Sequence, residues 1–485
     1  MNNRTNPLAL SLTLPGSASL GAFQAGALAS LAVLITELRS QGRPVRLDAI
    51  GGASAGSIVM LLFAHCLSTG RDAPTFLRDA WVDEVDAELL RCGGSQSPLA
   101  FDDLRDEVIS FLRDTDEHPL GVHEPLEEAV PVHVSLTSML GLVTPTTISS
   151  GSSNLLTFAD HVAFRLEPQH PIDDLISPEG RSPLDAVIAS ASHPGAFPPR
   201  LFDRNGEQDH FRSSGVEPPS DDLRLWYTDG GLVESQPVGR MLRAAHEHAG
   251  HRPGTRLHLV VDPRSSGPSG SDEWADPDTE HGWLDGIRRA LSVLPTQALH
   301  DDLREVAERN DRMRRVDDLL GDLVATGAVD DPDELGRRIR QVADVEDQTI
   351  VDVDIISPLL LAQEGDGVTD LLAGDFIGAF GGFLSRDLRR NDFALGWAST
   401  EAWATDGLRA HGIDEDSTNR IMTALAEART DDWNDSRMAG DGVGQLDRRG
   451  RWQLTLLAAQ TGRVILGNAV PSPAGPFRRW RSGSA

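Results

Sequence analysis

The sequence predicts an α/β fold with a mainly parallel sheet, followed by a largely helical C-terminal region. Three observations carry this. An apolar run, a small-residue turn and an Ala/Leu-rich helical run occur twice in succession near the N-terminus. Further strand-like runs recur downstream, and beyond residue 282 the periodicity turns helical. Strand, tight turn, helix, repeated, is the pattern of parallel strands covered by helices.

Leu8–Leu14 reads as a short buried strand. Its approach, with Arg4 before it and Ala25-Gly26-Ala27 after it, has the outline of a signal peptide. The apolar run is short for one, and Pro15-Gly16 ends it, so a core strand is expected. The small-residue loop 15–21 leads into a helix over Ala22–Leu38. Arg46–Ile50 is a second strand, Gly52-Ala53-Ser54-Ala55-Gly56 a second turn, and Ser57–Leu67 a second helix. Later strands are expected at Val130–Thr137, Leu223–Thr228, Arg256–Val261 and Thr349–Ile356, with a helix at Pro183–Ser192. The polar, Ser/Gly/Pro-rich stretch 264–281 reads as a linker or long surface loop. Trp283–Val345 has helical periodicity with opposite charges at helical spacing. The expected organisation is therefore 1–263 as the α/β domain, 264–281 as connection, 282–470 as a mainly helical region and 471–485 as a flexible tail.

Composition removes several function classes. The 485 residues include 44 basic and 74 acidic ones, for a net charge of −30. A chain this acidic has no global attraction for nucleic acid or an anionic bilayer, so lipid contact needs a local apolar or basic feature. Every one of the 44 cations is arginine. Schiff-base, Ser-Lys, P-loop and protein-kinase chemistries all need a lysine and are excluded. Two cysteines, Cys66 and Cys92, make neither a disulfide framework nor a thiolate zinc site, and a reducing, cytoplasmic compartment fits best. No stretch reads as an unbroken membrane span. The basic, aromatic Phe477–Arg481 offers transient contact with a membrane surface, against the plainer reading of a disordered tail.

The strongest chemical signal is Gly52-Ala53-Ser54-Ala55-Gly56. In G-x-S-x-G between strand and helix, the tight turn demands very small neighbours and lifts the serine over the helix N-terminus, where developing negative charge is favoured. A Gly/Ala-rich turn with a serine N-cap is the bland alternative. Loop 15–21 lies between the first strand and helix. Adjacent parallel strands would bring its N–H groups beside Ser54 as an oxyanion hole, although alone it reads equally as a tight turn. Asp229-Gly230-Gly231 follows a strand, where an aspartate can reach a cleft at the sheet's carboxyl edge, though such a sequence is often only a turn. Ser54 comes too early for an α/β-hydrolase. Of the histidines after Asp229 (His246, His248, His251, His258, His281, His300 and His411), none has a site context.

In order along the chain, Gly16–Gly21, Gly52–Gly56, Ala189-Ser190-Ala191-Ser192-His193-Pro194-Gly195-Ala196-Phe197-Pro198-Pro199 and Asp229–Gly231 resemble the blocks of the patatin-like phospholipases, a family of lipid acyl hydrolases. Gly21–Leu28 is similar to the run that opens the family's first helix, and Phe380–Trp397 is more weakly similar to a C-terminal segment of some patatin-related proteins. The resemblance implies an α/β/α sandwich, lipid or ester substrates and a Ser–Asp dyad without metal or cofactor. Ser54 would be the nucleophile and Asp229 the base. Backbone N–H groups of Gly16, Ser17 and Ala18 would form the oxyanion hole, supported by Gly21, Gly52, Gly56, Gly230 and Gly231.

Three positions depart from the family pattern. Ser17 and Ala18 stand where glycines are usual, and a methyl at Ala18 would crowd a tetrahedral intermediate. Leu20 replaces a basic residue, which implies a site mouth without that cation and a preference for uncharged esters. Ser235 replaces an asparagine. Two rival readings follow: a non-catalytic binding or regulatory module on the same fold, and a Ser-His-Asp esterase on another. Arg389, Arg390 and Asp392 read either as lining a site or, more plainly, as buried ion pairs, and Cys66 as core.

Overall fold

The computed structural model describes residues 7–86, 97, 99, 102–148, 151–213, 215–250, 255–264, 282–325, 332–342, 350–362, 371–377, 379–431 and 443–469. The expected linker, apart from Arg264, and the expected tail with Phe477–Arg481 lie outside the described residues, as do Cys92, His251 and His281.

Eight strands form one sheet: β1 (Leu8–Leu14), β2 (Val45–Gly52), β3 (Val130–Ile148), β4 (Gly151–Leu166), β5 (Arg200–Asp203), β6 (Arg224–Asp229), β7 (Thr255–Val261) and β8 (Asp352–Ile356). Their order is β5-β6-β3-β2-β1-β7-β8, with β4 paired to β3. The run β3-β2-β1-β7-β8 is parallel, while β4 and β6 lie antiparallel to β3, and β5 antiparallel to β6. The expected strand at 130–137 is longer than its apolar run: it continues to Ile148 as one arm of a hairpin with β4.

One arrangement within the sheet matters most. β3 pairs with β4 through both Val130–Val134 and Leu136–Thr137, so its other edge carries β2 and β6 in turn. β2 ends there at Gly52 opposite Val134, and β6 ends at Asp229 opposite Leu136. Two strands thus approach each other along one edge, and the turns that follow them meet.

Helices cover both faces. On one lie α1 (Gly21–Ser40), α2 (Ala55–Thr69) and α3 (Pro183–Ser190), packed on Leu10, Leu12, Ile50, Leu257 and Leu259. On the other, α4 (Val238–Ala249) and α5 (Trp283–Ala325) pack through Val238, Leu242 and Val306 on Val260 and Val351. This is an α/β/α sandwich with a helical C-terminal region. That region shares the core: it supplies β8 to the sheet and lays α6 (Arg386–Ala410) over α1. Two glycines allow the close crossing. A Cβ at Gly26 would sit 1.9 Å from the Phe393 carbonyl oxygen, and one at Gly396 would sit 1.9 Å from that of Phe23.

Covered on both sides, α1 is apolar all round, as a fully buried helix is. Contrary to the expectation from unbroken runs, Ala18–Ser40 is long and apolar enough to cross a membrane by length and composition, but 89% of its most apolar window is buried inside the fold.

Candidate active site

The second crossover is a strained elbow. Ser54 has φ 52° and ψ −134° between β2 and α2, a conformation rarely adopted by a residue with a Cβ. Such strain costs of order 1–3 kcal/mol and persists only where the surroundings enforce it. Here the Ser54 N–H donates to Ser190 Oγ at 2.9 Å, and Ser190 Oγ donates to the Ser135 carbonyl at 2.7 Å. Ser57 Oγ donates to the Ser54 carbonyl at 2.6 Å. The flanking glycines are required by close approach: a Cβ at Gly52 would lie 2.9 Å from Gly56 backbone, and one at Gly56 would lie 2.5 Å from the Pro15 carbonyl oxygen.

Asp229 arrives from the opposite direction. Its N–H donates to the Ser192 carbonyl at 3.1 Å, and Thr137 Oγ1 donates to its carbonyl at 2.7 Å. One carboxylate oxygen, Oδ2, accepts the Ser54 hydroxyl at 2.7 Å; the other accepts the Gly231 N–H at 2.7 Å. Gly230 lets the chain turn against β3, since a Cβ there would lie 2.0 Å from the Ser135 carbonyl oxygen. Burial pushes the Asp229 carboxyl above the usual carboxylate range, while the Ser54 hydroxyl, neighbouring His193 and the Gly231 N–H draw it back.

Loop 15–21 runs alongside. A Cβ at Gly16 would stand 3.1 Å from Ser54 Cβ. Ser17 Oγ donates to Gln24 Oε1 at 2.8 Å, and Gln24 Nε2 donates to the carbonyls of Pro15 at 2.9 Å and Val261 at 3.2 Å. Ala18 takes φ 47°, so its methyl is accommodated in a left-handed turn. Ser19 is tied to the C-terminal region: its N–H (2.9 Å) and hydroxyl (2.6 Å) both donate to the Ala379 carbonyl, and its Oγ accepts the Gly382 N–H at 3.0 Å. Gly21 leaves room for Trp81, whose ring would be 2.5 Å from a Cβ.

These pieces open on one cavity of about 730 Å³. Gly16, Ser17, Ala18, Ser54, Asp229 and Gly231 lie at its polar end, and Ile58, Leu62, Leu104, Val108, Phe111 and Phe197 form much of its apolar wall. Ile377, Phe380, Phe383, Leu457 and Thr461 bring the C-terminal region to its rim.

Residues 12–242 match the family model of the patatin-like phospholipases. This stretch is a patatin-like phospholipase domain. The chain is also 28% identical over 311 residues to an uncharacterized membrane protein, Rv3479, of Mycobacterium tuberculosis; the match covers 58% of this chain and 27% of that protein. Among solved structures, VipD from Legionella pneumophila aligns over 94% of this chain and 85% of its own, at 11% identity and a TM-score of 0.32.

Within the patatin-like domain, Leu20 corrects one expectation. It is fully buried in the core and does not line the cavity, so the exchange at position 20 leaves the site mouth untouched, and no substrate preference follows from it. Ser235 does line the cavity. Arg389 and Asp392 are buried but do not pair with each other. Arg389 donates to the carbonyls of Val82 and Gly382, and Asp392 accepts the N–H groups of Ala373 and Gly374; Arg390 pairs with Asp431. Cys66 is buried, which raises its thiol pKa. Of the histidines after Asp229, His258 is enclosed by Ser11 and Thr13 with its pKa lowered to about 3 by burial, and His411 bonds Asp354. The residue the sequence reading passed over is His193. It lines the cavity beside Asp229 and accepts the Gly195 N–H at Nδ1, and its signal was a histidine inside the Pro-Gly block.

Proposed function

We propose that the chain is a serine hydrolase of lipid carboxylic esters, working through Ser54 and Asp229. The observation that carries the reading is the 2.7 Å hydrogen bond from Ser54 Oγ to Asp229 Oδ2 at the end of an apolar cavity. Ser54 Oγ attacks the ester carbonyl as its proton passes to Asp229, and the carboxyl returns that proton to the leaving alcohol. The acyl-enzyme is then hydrolysed by a water that Asp229 deprotonates. Burial raises the carboxylate's basicity, which suits a base that must take a hydroxyl proton. The N–H groups of Gly16, Ser17 and Ala18 are assigned to the developing oxyanion. The apolar wall takes the acyl chain, each buried methylene contributing about 0.8 kcal/mol. Glu84 and Glu107 also line the cavity; burial and the neighbouring Glu107 raise the Glu84 carboxyl, and the pair disfavours an anionic substrate group there.

Residues 1–263 are assigned the chemistry and 282–470 the covering of the site. The paucity of cysteine supports a cytoplasmic protein that touches membranes from the surface.

The test is a fluorophosphonate probe combined with hydrolysis of a neutral ester. Labelling lost in Ser54→Ala, and hydrolysis reduced at least ~10³-fold in Asp229→Asn with Tm within a few degrees, is the expected result. The kcat/KM of the unsubstituted protein falls on the acid side as the base is protonated, at a pH above that of an exposed carboxylate, because the folded pKa is raised. No labelling at all favours a binding or regulatory role, and dependence on a histidine favours a triad.

A further inference from the structure

The β3–β4 hairpin carries the largest group of exposed apolar side chains in the α/β half of the molecule. Met139, Leu140, Leu155, Leu156 and Phe158 are exposed on it, Leu140 at 61% and Leu156 at 66%. Leu201 and Trp226, cross-strand partners on β5 and β6, are exposed beside it, Trp226 at 55%. Ser138 pairs with Tyr227, so Met139 and Trp226 are the next residues along the two strands. Soluble proteins seldom present so many large apolar groups together without a partner.

Two further observations say what that partner is. The first is charge. From Ala129 through Ala159 the chain contains no Asp, Glu or Arg, whereas the whole chain carries 74 acidic and 44 basic residues. The hairpin segment itself enters a low-dielectric boundary without the cost of desolvating ions, and the charges alongside it are Glu217, bridged to Val143, and Arg200 and Arg224 on the strands that bear Leu201 and Trp226. The second is position. β3 runs parallel to β2 and passes Gly52 at Val134 and Asp229 at Leu136, so everything beyond Thr137 projects past the sheet edge that bears Ser54. At about 3.3 Å per residue, Met139 stands ~10 Å beyond the level of Asp229. Val233, four residues after Asp229, and Ile377 at the cavity rim are exposed too.

We propose that this hairpin, with Leu201 and Trp226, docks the protein on an uncharged or zwitterionic lipid surface and so brings the cavity to its substrate, an inference that rests on the lipid-ester reading above. From Leu142 to Ile148 the outer part of β3 is paired with Gly151–Thr157, so these backbone groups satisfy each other, as a segment entering a headgroup layer requires. The Trp226 indole is the type of side chain that settles at such a boundary. The −30 charge elsewhere opposes binding to anionic bilayers, so the attraction is apolar and local.

The experiment uses the full chain carrying Ser54→Ala, floated with phosphatidylcholine vesicles, with and without Leu140→Asp and Leu156→Asp together; Leu140→Ser with Leu156→Ser is the milder control. The expected result is flotation that falls at least tenfold with the aspartates and less with the serines, at unchanged Tm. In the active chain, the same substitutions leave turnover of a soluble, monomeric short-chain ester within twofold and reduce turnover of vesicle-borne ester about tenfold. Failure of the Ser54→Ala chain to float, or equal flotation of the aspartate variant, overturns the proposal. So does a dimer in solution that the aspartates dissociate, which would make the patch a contact between copies. Flotation without soluble-ester turnover would sink the hydrolase reading and leave the lipid surface standing.

Discussion

The two strand–turn–helix crossovers at the site make the same bend by different means. The second, Gly52 to Gly56, fits by smallness: its glycines sit where any Cβ would strike backbone, and its one strained residue, Ser54, is held by Ser190 and Asp229. The first, Pro15 to Gly21, is held from outside. Gln24 ties it to Val261, and Ser19 ties it to Ala379 and Gly382, some 360 residues on. In the second turn the glycines supply room rather than a left-handed φ, and the strain falls on Ser54. A turn that keeps Ser17 and Ala18 needs neighbours to hold it.

That contrast can be broken at the seam between the two. Gly56→Ala would drive a methyl into the carbonyls of Leu14 and Pro15, at 2.6 and 2.5 Å, so both crossovers must shift. A loss of ~3 kcal/mol or more in stability is expected, together with loss of probe labelling, read by thermal unfolding and fluorophosphonate reactivity. Ser19→Ala is the next largest. It strips the Gly382 N–H of its acceptor while the Ser19 N–H keeps its bond to Ala379, a buried loss of ~1–3 kcal/mol. If loop 15–21 supplies the oxyanion donors, kcat falls about tenfold with KM nearly unchanged, whereas a purely structural role would lower Tm and leave kcat alone. Ala18→Gly is the smallest. Relief of the φ 47° conformation is offset by a more flexible unfolded chain, so Tm moves by less than about 1 kcal/mol equivalent and kcat by less than twofold. A large gain in kcat would mean that the Ala18 methyl does crowd the intermediate.

The same contrast explains what was legible in the sequence. β1, β2 and their helices announce themselves through apolar runs and small-residue turns between Leu8 and Thr69, and Ser54 is marked by its own neighbours. The juxtaposition of Ser54 and Asp229 was not legible from spacing and came only through family resemblance. Its physical basis is that β2 and β6 share one edge of β3, a property of pairing that no single segment encodes. β4 carries no strand signal where it starts, since Gly151–Asn154 is small and polar, yet that backbone is paired throughout with Pro145–Ile148. Ser190 and Ser19 carry no chemical signature either; each matters through a hydrogen bond to a residue far along the chain. Leu20 misled because a position that aligns with a basic residue elsewhere was assumed to face the same way here.

The glycine-to-glycine crossing of α1 and α6 bears on how this protein can be divided. A fragment cut after the family match would strip away the layer that lies over Gly26 and leave one whole flank of α1 bare. Such a piece would clump, or seek a bilayer, for reasons unrelated to its chemistry. The stretch matched to the family is therefore shorter than the set of elements that share this core.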